Sequence, residues 1–136
     1  MFHIQPVRSR EEQKIIAEQL DTEYYEDTYA FCAVESDPKT GQALSLIGLC
    51  QFTLNPEMSE IRTVSSAPGY EEDEAMTILI RTVMSSAFKA EIPYIAIDES
   101  VLTKDKILKL GFRFTDNKWI IDLKKFYESP CHYNSD

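Results

Sequence analysis

The sequence has few of the residues that would indicate a metal site, a disulfide-stapled domain or a membrane protein. It holds 3 cysteines and 2 histidines in 136 residues, and their spacing matches no metal-ligand pattern. Cys32 and Cys50 lie in apolar, strand-like runs and are predicted to be buried free thiols. No basic-then-apolar leader and no apolar run of membrane-spanning length is present. We therefore expect a reducing, cytoplasmic environment and no membrane partner.

Positive charge is also scarce. The chain has 14 Lys and Arg against 23 Asp and Glu, a formal net charge of −9, which argues against a general affinity for nucleic acid. Hydrophobic residues make up 43%, and a chain of this length can bury a core of its own. We expect a single domain over residues 1–127, followed by a polar C-terminal tail over residues 128–136.

The apolar pattern predicts ten helices and strands in the order β-α-β-β-β-α-β-α-β-β. The first helix begins after the cap Ser9 and continues to about residue 26. Its apolar positions, at helical spacing, are Ile15, Ile16, Leu20 and Tyr24. A second helix, over residues 75–90, connects two strands and therefore makes them parallel. The predicted fold class is α/β (α+β), with a mixed, mostly antiparallel sheet and helices on its faces.

Two stretches, in their order and separation, resemble the GNAT superfamily of acyl-CoA-dependent N-acyltransferases. The first, "SEIRTVSSAPGYEEDEAMTILIRTVMSSAFKAEIPYIAID", is similar to the family's central strand, cofactor turn, long helix and following strand. The second, "KILKLGFRF", is similar to the family's helix that ends in a Leu-Gly-Phe turn, here Leu110, Gly111 and Phe112. The resemblance implies the GNAT fold and, for an active member, acetyl-CoA as cofactor.

The stretch similar to the cofactor turn departs from the family's pattern, R/Q-x-x-G-x-G/A. In the family, the glycines and backbone amides of this turn hold the pyrophosphate of coenzyme A at a helix N-terminus. Alignment on Pro68 and Tyr70 puts Glu71 at the basic or amide position, Glu74 at the first glycine and Met76 at the last. A shift by one residue puts Tyr70, Asp73 and Ala75 there, which restores only the last small residue. The positions that the resemblance assigns to the cofactor are Ser65, Ser66, Tyr70, Glu71, Glu72, Asp73, Glu74 and Ala75.

The four consecutive acids at residues 71–74 oppose phosphate binding. A phosphate charge within about 4 Å of one carboxylate costs roughly 1 kcal/mol in bulk water and about 4 kcal/mol near a protein surface. Micromolar binding amounts to about 8 kcal/mol in total. As an acidic first turn of the helix, these carboxylates would also occupy amides that a phosphate would use. Lys104 and Lys106 are bases that could offset the repulsion.

The residues that would carry acetyl transfer are altered as well. Family members often place a tyrosine four residues before the glycine of the Leu-Gly-Phe turn, as a general acid, and here Ile107 stands there. Tyr94 and Tyr127 could substitute only if the fold brought them close. Glu60, near the family's general-base position, is the candidate base, with an ordinary solvated carboxylate as the alternative. Ser100 stands where the family has an asparagine.

Two functions from different classes fit these observations. The missing glycines, the missing tyrosine and the acidic turn favour a divergent module with weak or no coenzyme A binding, which contacts a protein or a small ligand. The alternative is an active acetyl-CoA-dependent N-acetyltransferase on a small amine or peptide amine, with Glu60 as base. Tyr24, Tyr25 and Tyr29 lie where the family fits a second helix, and such aromatic residues also suit a homodimer interface.

Overall fold

The computed structural model describes residues 1–128, in which helices pack on a seven-stranded sheet. In chain order the elements are β1 (Phe2–Pro6), α1 (Arg10–Gln19), β2 (Tyr29–Ser36), β3 (Ala43–Phe52), β4 (Ser59–Ser66), α2 (Glu74–Lys89), β5 (Tyr94–Ile97), α3 (Lys104–Leu110), β6 (Arg113–Thr115), β7 (Lys118–Asp122) and α4 (Leu123–Glu128). The strands lie in the order β1-β2-β3-β4-β5-β7-β6, and β4 and β5 form the parallel pair among antiparallel neighbours. The predicted mixed sheet and the order of its first ten elements are confirmed.

The C-terminal end of the described chain differs from the prediction. Leu123, predicted to end the last strand, begins α4, which runs to Glu128 and so crosses the predicted start of the tail. The aromatic ring of Tyr127 stacks on Phe88 of α2 at 4.7 Å between centroids, which fixes the helix against the domain. Residues 129–136 lie outside the described residues, so a tail there stays a prediction.

Side chains alternate along β2 and β3, and this alternation separates two apolar clusters, one on each face of the sheet. Cys32 and Leu49 face α1, whereas Ala33 and Cys50 face α2. Both cysteines are buried free thiols, as predicted. Burial raises the pKa of each thiol, so both behave as small apolar side chains of the core.

Helix α1 begins where predicted but ends earlier. The Ser9 hydroxyl oxygen accepts a hydrogen bond from the Glu12 N–H at 3.1 Å and so caps the helix. The helix stops at Gln19, before Asp21 takes a left-handed φ of 54°. Of the apolar positions at helical spacing, Ile16 is buried, whereas Ile15 is 56% exposed. Across the described part of the chain, every helix is too short or too polar to span a lipid bilayer.

A bulge in β4 and the early end of its pairing with β5 open the sheet. Gln51 and Phe52 of β3 pair with Thr63 and Ile61, so that Arg62 is the extra residue of the bulge. Parallel pairing between β4 and β5 ends at Ile61, while β4 itself continues for five more residues. We call the gap that opens here between β4 and β5 the split.

Candidate functional site

Two cavities lie beside the split. The turn cavity, about 350 Å³, lies between the C-terminal half of β4, the start of α2 and α3, and the turn at residues 67–73 contributes to its rim. The split cavity, about 480 Å³, lies between β4, β5 and the β6–β7 hairpin. The adjacent residues Val101 and Leu102 line one cavity each, so the segment between β5 and α3 separates them.

At the turn cavity, two acidic side chains bind backbone amides of the chain itself. Asp73 caps α2, and its Oδ1 accepts the N–H of Ala75 at 2.9 Å. The Glu71 carboxylate accepts the N–H of Gly69 at 2.9 Å, where a φ of 89° bends the turn in a way that favours glycine. Donors of this kind hold phosphate at helix N-termini. Two backbone N–H groups, those of Gly69 and Ala75, are therefore already hydrogen-bonded to carboxylates.

The four acids do not form one helical turn. Glu71 and Glu72 precede α2, Asp73 is its cap, and Glu74 alone lies in its first turn, so the predicted first turn of four acids is wrong. Outside α2, Glu72 pairs with a cation: its Oε1 lies 2.6 Å from Nζ of Lys106. Lys106 belongs to α3, on the other wall of the turn cavity.

Tyr70 ties the same turn to the sheet. Its hydroxyl donates to the Glu35 carboxylate of β2 at 3.1 Å, and this hydrogen bond raises the pKa of the Tyr70 phenol. The Ser45 hydroxyl of β3 donates to the same carboxylate oxygen at 3.2 Å. The turn is therefore attached to β2 and to α3 by contacts between residues far apart in the sequence.

Met76, at the place of the family's last glycine, lines the turn cavity. Its sulfur reaches under β3 because position 48 is glycine: a Cβ on Gly48 would lie 2.4 Å from Met76 Sδ and 2.9 Å from the Ser65 carbonyl oxygen. Ser66 lines the cavity from the end of β4, directly opposite Gly48. The thioether thus takes up volume that a glycine at position 76 would leave open.

The position that corresponds to the family's general-acid tyrosine holds Ile107, which has no proton to donate. Ile107 is fully buried in the apolar cluster under α2. Tyr94 stands at the start of β5, the end away from the split, and Tyr127 stacks on Phe88. Burial raises the pKa of Tyr127. Neither tyrosine lines the turn cavity or the split cavity, so the condition for either to replace the missing acid is not met.

Carboxylates from two strand segments line the split cavity. Glu60 of β4 lies opposite Ala96 of β5 and is exposed. Asp98 and Glu99 follow β5 where it ends. Hydrogen bonds from the side chain and backbone of Ser100 lower the pKa of Asp98, which favours its ionised form. Within residues 1–128, no three His, Cys, Asp or Glu side chains come together as a metal-binding group.

Aromatic rings lie beside these carboxylates. The Trp119 indole N–H donates to Glu99 Oε2 at 2.7 Å, and the Phe114 ring lies 5.2 Å from the Trp119 ring. Tyr25 also lines the cavity, with the Arg62 guanidinium 5.7 Å from its ring centroid. Aromatic faces next to carboxylates form an environment that attracts cations.

A buried polar network holds Tyr25 in this position. The Gln51 side chain, fully buried in β3, accepts the N–H of Tyr25 at 3.0 Å and donates to the Glu23 carbonyl at 2.7 Å. The side-chain amide of Gln13 in α1 donates to the side-chain oxygen Oε1 of Gln51 at 2.8 Å. The network therefore attaches the segment at residues 20–28 to both α1 and the sheet. A single glutamine inside an apolar strand is the sequence feature that could have identified it.

The three tyrosines predicted to lie together do not share one site. Tyr25 lines the split cavity, while the Tyr24 ring lies 5.7 Å from Nζ of Lys14. Tyr29 is 62% exposed at the start of β2. The segment that carries the first two, residues 20–28, contains no helix. A homodimer that uses these rings stays a prediction.

Sequence reasoning selected Glu60 but missed Asp98, Glu99 and Trp119 at the same cavity. Asp98 and Glu99 directly follow the buried strand β5, at the point where the sheet opens. Their position after an apolar run in the sequence could have identified them. Trp119 comes from β7, and its approach to Glu99 depends on the antiparallel pairing of β5 with β7. That pairing is not readable from local sequence.

Solved structures share this architecture over most of the chain. A mutant form of the spermidine N-acetyltransferase SpeG from Vibrio cholerae is 13% identical, with a TM-score of 0.67, over 95% of this chain and 98% of that one. The IAA acetyltransferase from Bacillus cereus is 17% identical, with a TM-score of 0.63, over 85% and 79%. A chain of the KacTA–DNA complex is 12% identical, with a TM-score of 0.68, over 100% of both.

No family model and no curated protein matches the sequence. The likeness is therefore one of architecture, and at these identities it transfers no residue role. The mixed sheet with its parallel central pair agrees with the neighbours and with the two stretches that resemble the family. The chain has the GNAT acetyltransferase fold.

Proposed function

We propose that this GNAT-fold protein is a binding module with weak or no affinity for coenzyme A, and that it does not transfer acetyl groups. One observation carries the proposal: the amides of Gly69 and Ala75 are bonded to Glu71 and Asp73. A pyrophosphate in the family's usual seat would have to displace both carboxylates and then lie beside them. Each such encounter costs roughly 1 to 4 kcal/mol, and micromolar binding supplies about 8 kcal/mol in all.

Two neighbouring positions support the same conclusion. Met76 takes up volume at the floor of the turn cavity, and buried Ile107 supplies no proton to a departing thiolate. The residues present therefore do not fit coenzyme A as the family holds it. We assign no chemical step to that cofactor in this protein.

The ligand that suits the module is a small amine, or an amine presented by a protein partner. Glu60, Asp98 and Glu99 supply three negative charges to the split cavity, against two positive charges from Arg62 and Lys118, and they lie beside the rings of Trp119 and Phe114. A volume near 480 Å³ lies in the range of roughly 300 to 1,000 Å³ that is typical of small-molecule sites. Spermidine, named for the Vibrio cholerae neighbour, is a suitable probe.

Calorimetric titration of acetyl-CoA tests the loss of cofactor binding. We expect no binding to the wild-type protein at millimolar ligand. The variant E71G/E72A/D73N/E74A should bind at least about tenfold more tightly, since removing repulsion worth 1.4 kcal/mol is sufficient. Asparagine at position 73 keeps a capping oxygen, so α2 retains its start. Submillimolar binding of acetyl-CoA by the wild-type protein would refute the proposal.

The control for the variant E71G/E72A/D73N/E74A must also remove four negative charges, at positions away from the turn cavity. Four exposed carboxylates away from the turn cavity serve this purpose when replaced together by alanine: Glu11, Glu18, Glu26 and Glu57. If this control gained as much affinity as the turn variant, net charge and not the turn would explain the effect.

The amine site can be followed through Trp119, the single tryptophan of the chain. Titration with putrescine should change its fluorescence, whereas 1,4-butanediol, with the same chain length and no charge, should not. E99Q and E60Q should each weaken putrescine binding by about fivefold, as expected for the loss of roughly 1 kcal/mol of attraction. E57Q, which removes a carboxylate outside the cavity, is the matched control.

A second candidate function is an active N-acetyltransferase on a small amine, and the retained split favours it. Glu60 lines the cavity where an amine would lie and could accept its proton. Thiol release from acetyl-CoA in the presence of spermidine would establish this activity. In that case E60Q should lower the rate, and the E57Q control should leave it unchanged.

A further inference from the structure

The Glu72–Lys106 ion pair joins the two walls of the turn cavity. Glu72 belongs to the turn before α2 and Lys106 to α3, and their side chains meet at 2.6 Å. Both residues line the cavity. The Glu72 side chain is 81% exposed and that of Lys106 36% exposed, which places the contact at the solvent side.

Two other cations, Arg81 and Lys109, line this cavity besides Lys106. The Arg81 guanidinium donates to the Leu110 carbonyl oxygen at 2.7 Å and lies 5.3 Å from the Phe126 ring centroid, which commits it to the packing of α3 and α4. Lys106 is therefore a base whose partner is a single exposed carboxylate. Loss of that carboxylate would leave its ammonium facing the cavity.

The turn that carries Glu72 is also fixed at its other end. Tyr70 bonds Glu35 on β2, and Asp73 caps α2, so both neighbours of the Glu71–Glu72 pair are anchored. The ion pair adds the attachment to α3, on the far side of the cavity. Releasing it would free that side of the turn and leave the remaining anchors intact.

We infer that the Glu72–Lys106 pair is an autoinhibitory latch, which joins the turn to α3 and withholds Lys106 from phosphate-bearing ligands. This inference rests on the proposed loss of coenzyme A binding and names a specific cause for part of it. One ammonium cannot fully neutralise a carboxylate and a phosphate together, so a phosphate must compete with Glu72 for Lys106. Exposed ion pairs contribute little to stability and are screened by salt, so the latch opens without unfolding the domain.

A double-mutant cycle with inorganic pyrophosphate tests the latch. In calorimetry at low ionic strength, E72Q should bind pyrophosphate at least about tenfold more tightly than the wild-type protein, because it exposes Lys106 and removes one repulsion. The gain should disappear in E72Q/K106Q. E18Q changes the net charge equally, on α1 and away from the turn cavity, and should alter binding by no more than about twofold.

Amide hydrogen exchange supplies a readout that does not depend on any ligand. Residues 69–75 should exchange faster in both E72Q and K106Q than in the wild-type protein, while β2 and β3 keep their protection. Unchanged exchange in the turn, or a gain in pyrophosphate affinity that persists in E72Q/K106Q, would overturn the latch. Tight acetyl-CoA binding by the wild-type protein would refute the proposed function instead, whatever the cycle shows.

Discussion

The turn cavity and the split cavity lie side by side, yet the chain uses its carboxylates differently in each. At the turn cavity, Glu71 and Asp73 bind amides of the chain itself, and Glu72 binds a lysine. At the split cavity, Glu60 is exposed and Glu99 accepts from an indole while still facing the cavity. The first region pairs three of its acids within the chain, whereas the second leaves carboxylates facing its cavity.

The difference shows which features of a fold depend on particular side chains. The split follows from the backbone: a bulge in β4 and the short pairing of β4 with β5 open the sheet whatever the side chains are. A phosphate seat needs free amides and small residues at defined positions. In this chain, acids bind two of the amides and a methionine stands beside them, while the sheet keeps its architecture.

The anchors of the two regions differ as well. Gln51 and Gln13 hold the wall of the split cavity from inside the protein, with their polar atoms fully hydrogen-bonded. The turn is held by contacts at the surface. Segments with exposed anchors open at a lower free energy than segments with buried ones. We therefore expect the turn to be the more easily opened of the two.

Gln51→Leu should produce the largest effect and would remove the inner anchor of the split cavity. We expect the free energy of unfolding to fall by about 3 kcal/mol, because the Tyr25 amide, the Glu23 carbonyl and the Gln13 side chain lose buried partners. Urea denaturation measures the loss. Gln19→Leu, at the exposed end of α1, should change stability by less than about 0.5 kcal/mol.

If Gln51→Leu were as stable as the wild-type protein, the buried network would not be what holds the segment at residues 20–28. The wall of the split cavity would then be held no more firmly than the turn.

A smaller effect is expected at the cap of α2. Asp73→Ala should lower stability by about 1 kcal/mol, similar to Ser9→Ala at the start of α1, since each removes one side-chain cap. Asp73→Asn keeps a capping oxygen and should lose less than Asp73→Ala. Thermal unfolding of the three variants compares the caps directly. Equal losses for the alanine and asparagine variants at position 73 would show that charge, and not capping, is what the site requires.

The smallest effect concerns Tyr70 at high pH. Its hydrogen bond to Glu35 raises the pKa above the ordinary value of 10.0, so the folded protein keeps this phenol protonated where an unfolded chain loses the proton. The stability from this bond is present below about pH 10 and is lost as the pH rises through the raised pKa. In an ultraviolet titration, Tyr70→Phe should remove one late-ionising tyrosine.

Glu35→Gln provides the matched comparison for that titration. It keeps Tyr70 but removes the acceptor charge, so the same tyrosine should ionise earlier than in the wild-type protein. A Glu35→Gln titration curve that coincides with the wild-type curve would mean that the turn is not attached to β2 through this bond.

Much of the fold could be predicted because its determinants are local. Ser9 caps α1, Gly111 takes the left-handed φ of 109° that ends α3, and Asp116 and Asn117 both have positive φ in the last hairpin. Each depends on residues a few positions away. One error has a local cause, because α1 ends early near Asp21, which has a positive φ. The other does not: α4 forms where the Tyr127 ring packs on Phe88 of α2, a contact between residues far apart in the sequence.

The site was predicted only in part, because its partners come from distant elements. Acidic residues before an apolar helix are visible in the sequence, but their separate roles as cap, amide acceptor and ion-pair partner are not. The bond from Tyr70 to Glu35 depends on how the turn lies over β2, and that of Trp119 to Glu99 on which strand pairs with β5. Periodicity indicates which face a side chain takes and says nothing of its neighbour across the sheet.

The sequence by itself determined the order of the first ten strands and helices, the capped start of α1 and the run of acids in the turn before α2, since these follow from residues near one another. Tertiary structure alone decided what those acids do, because hydrogen bonds and ion pairs need atoms within about 3 to 4 Å. Only the folded sheet brings Glu72 to Lys106 and Gln51 to the segment that carries Tyr25.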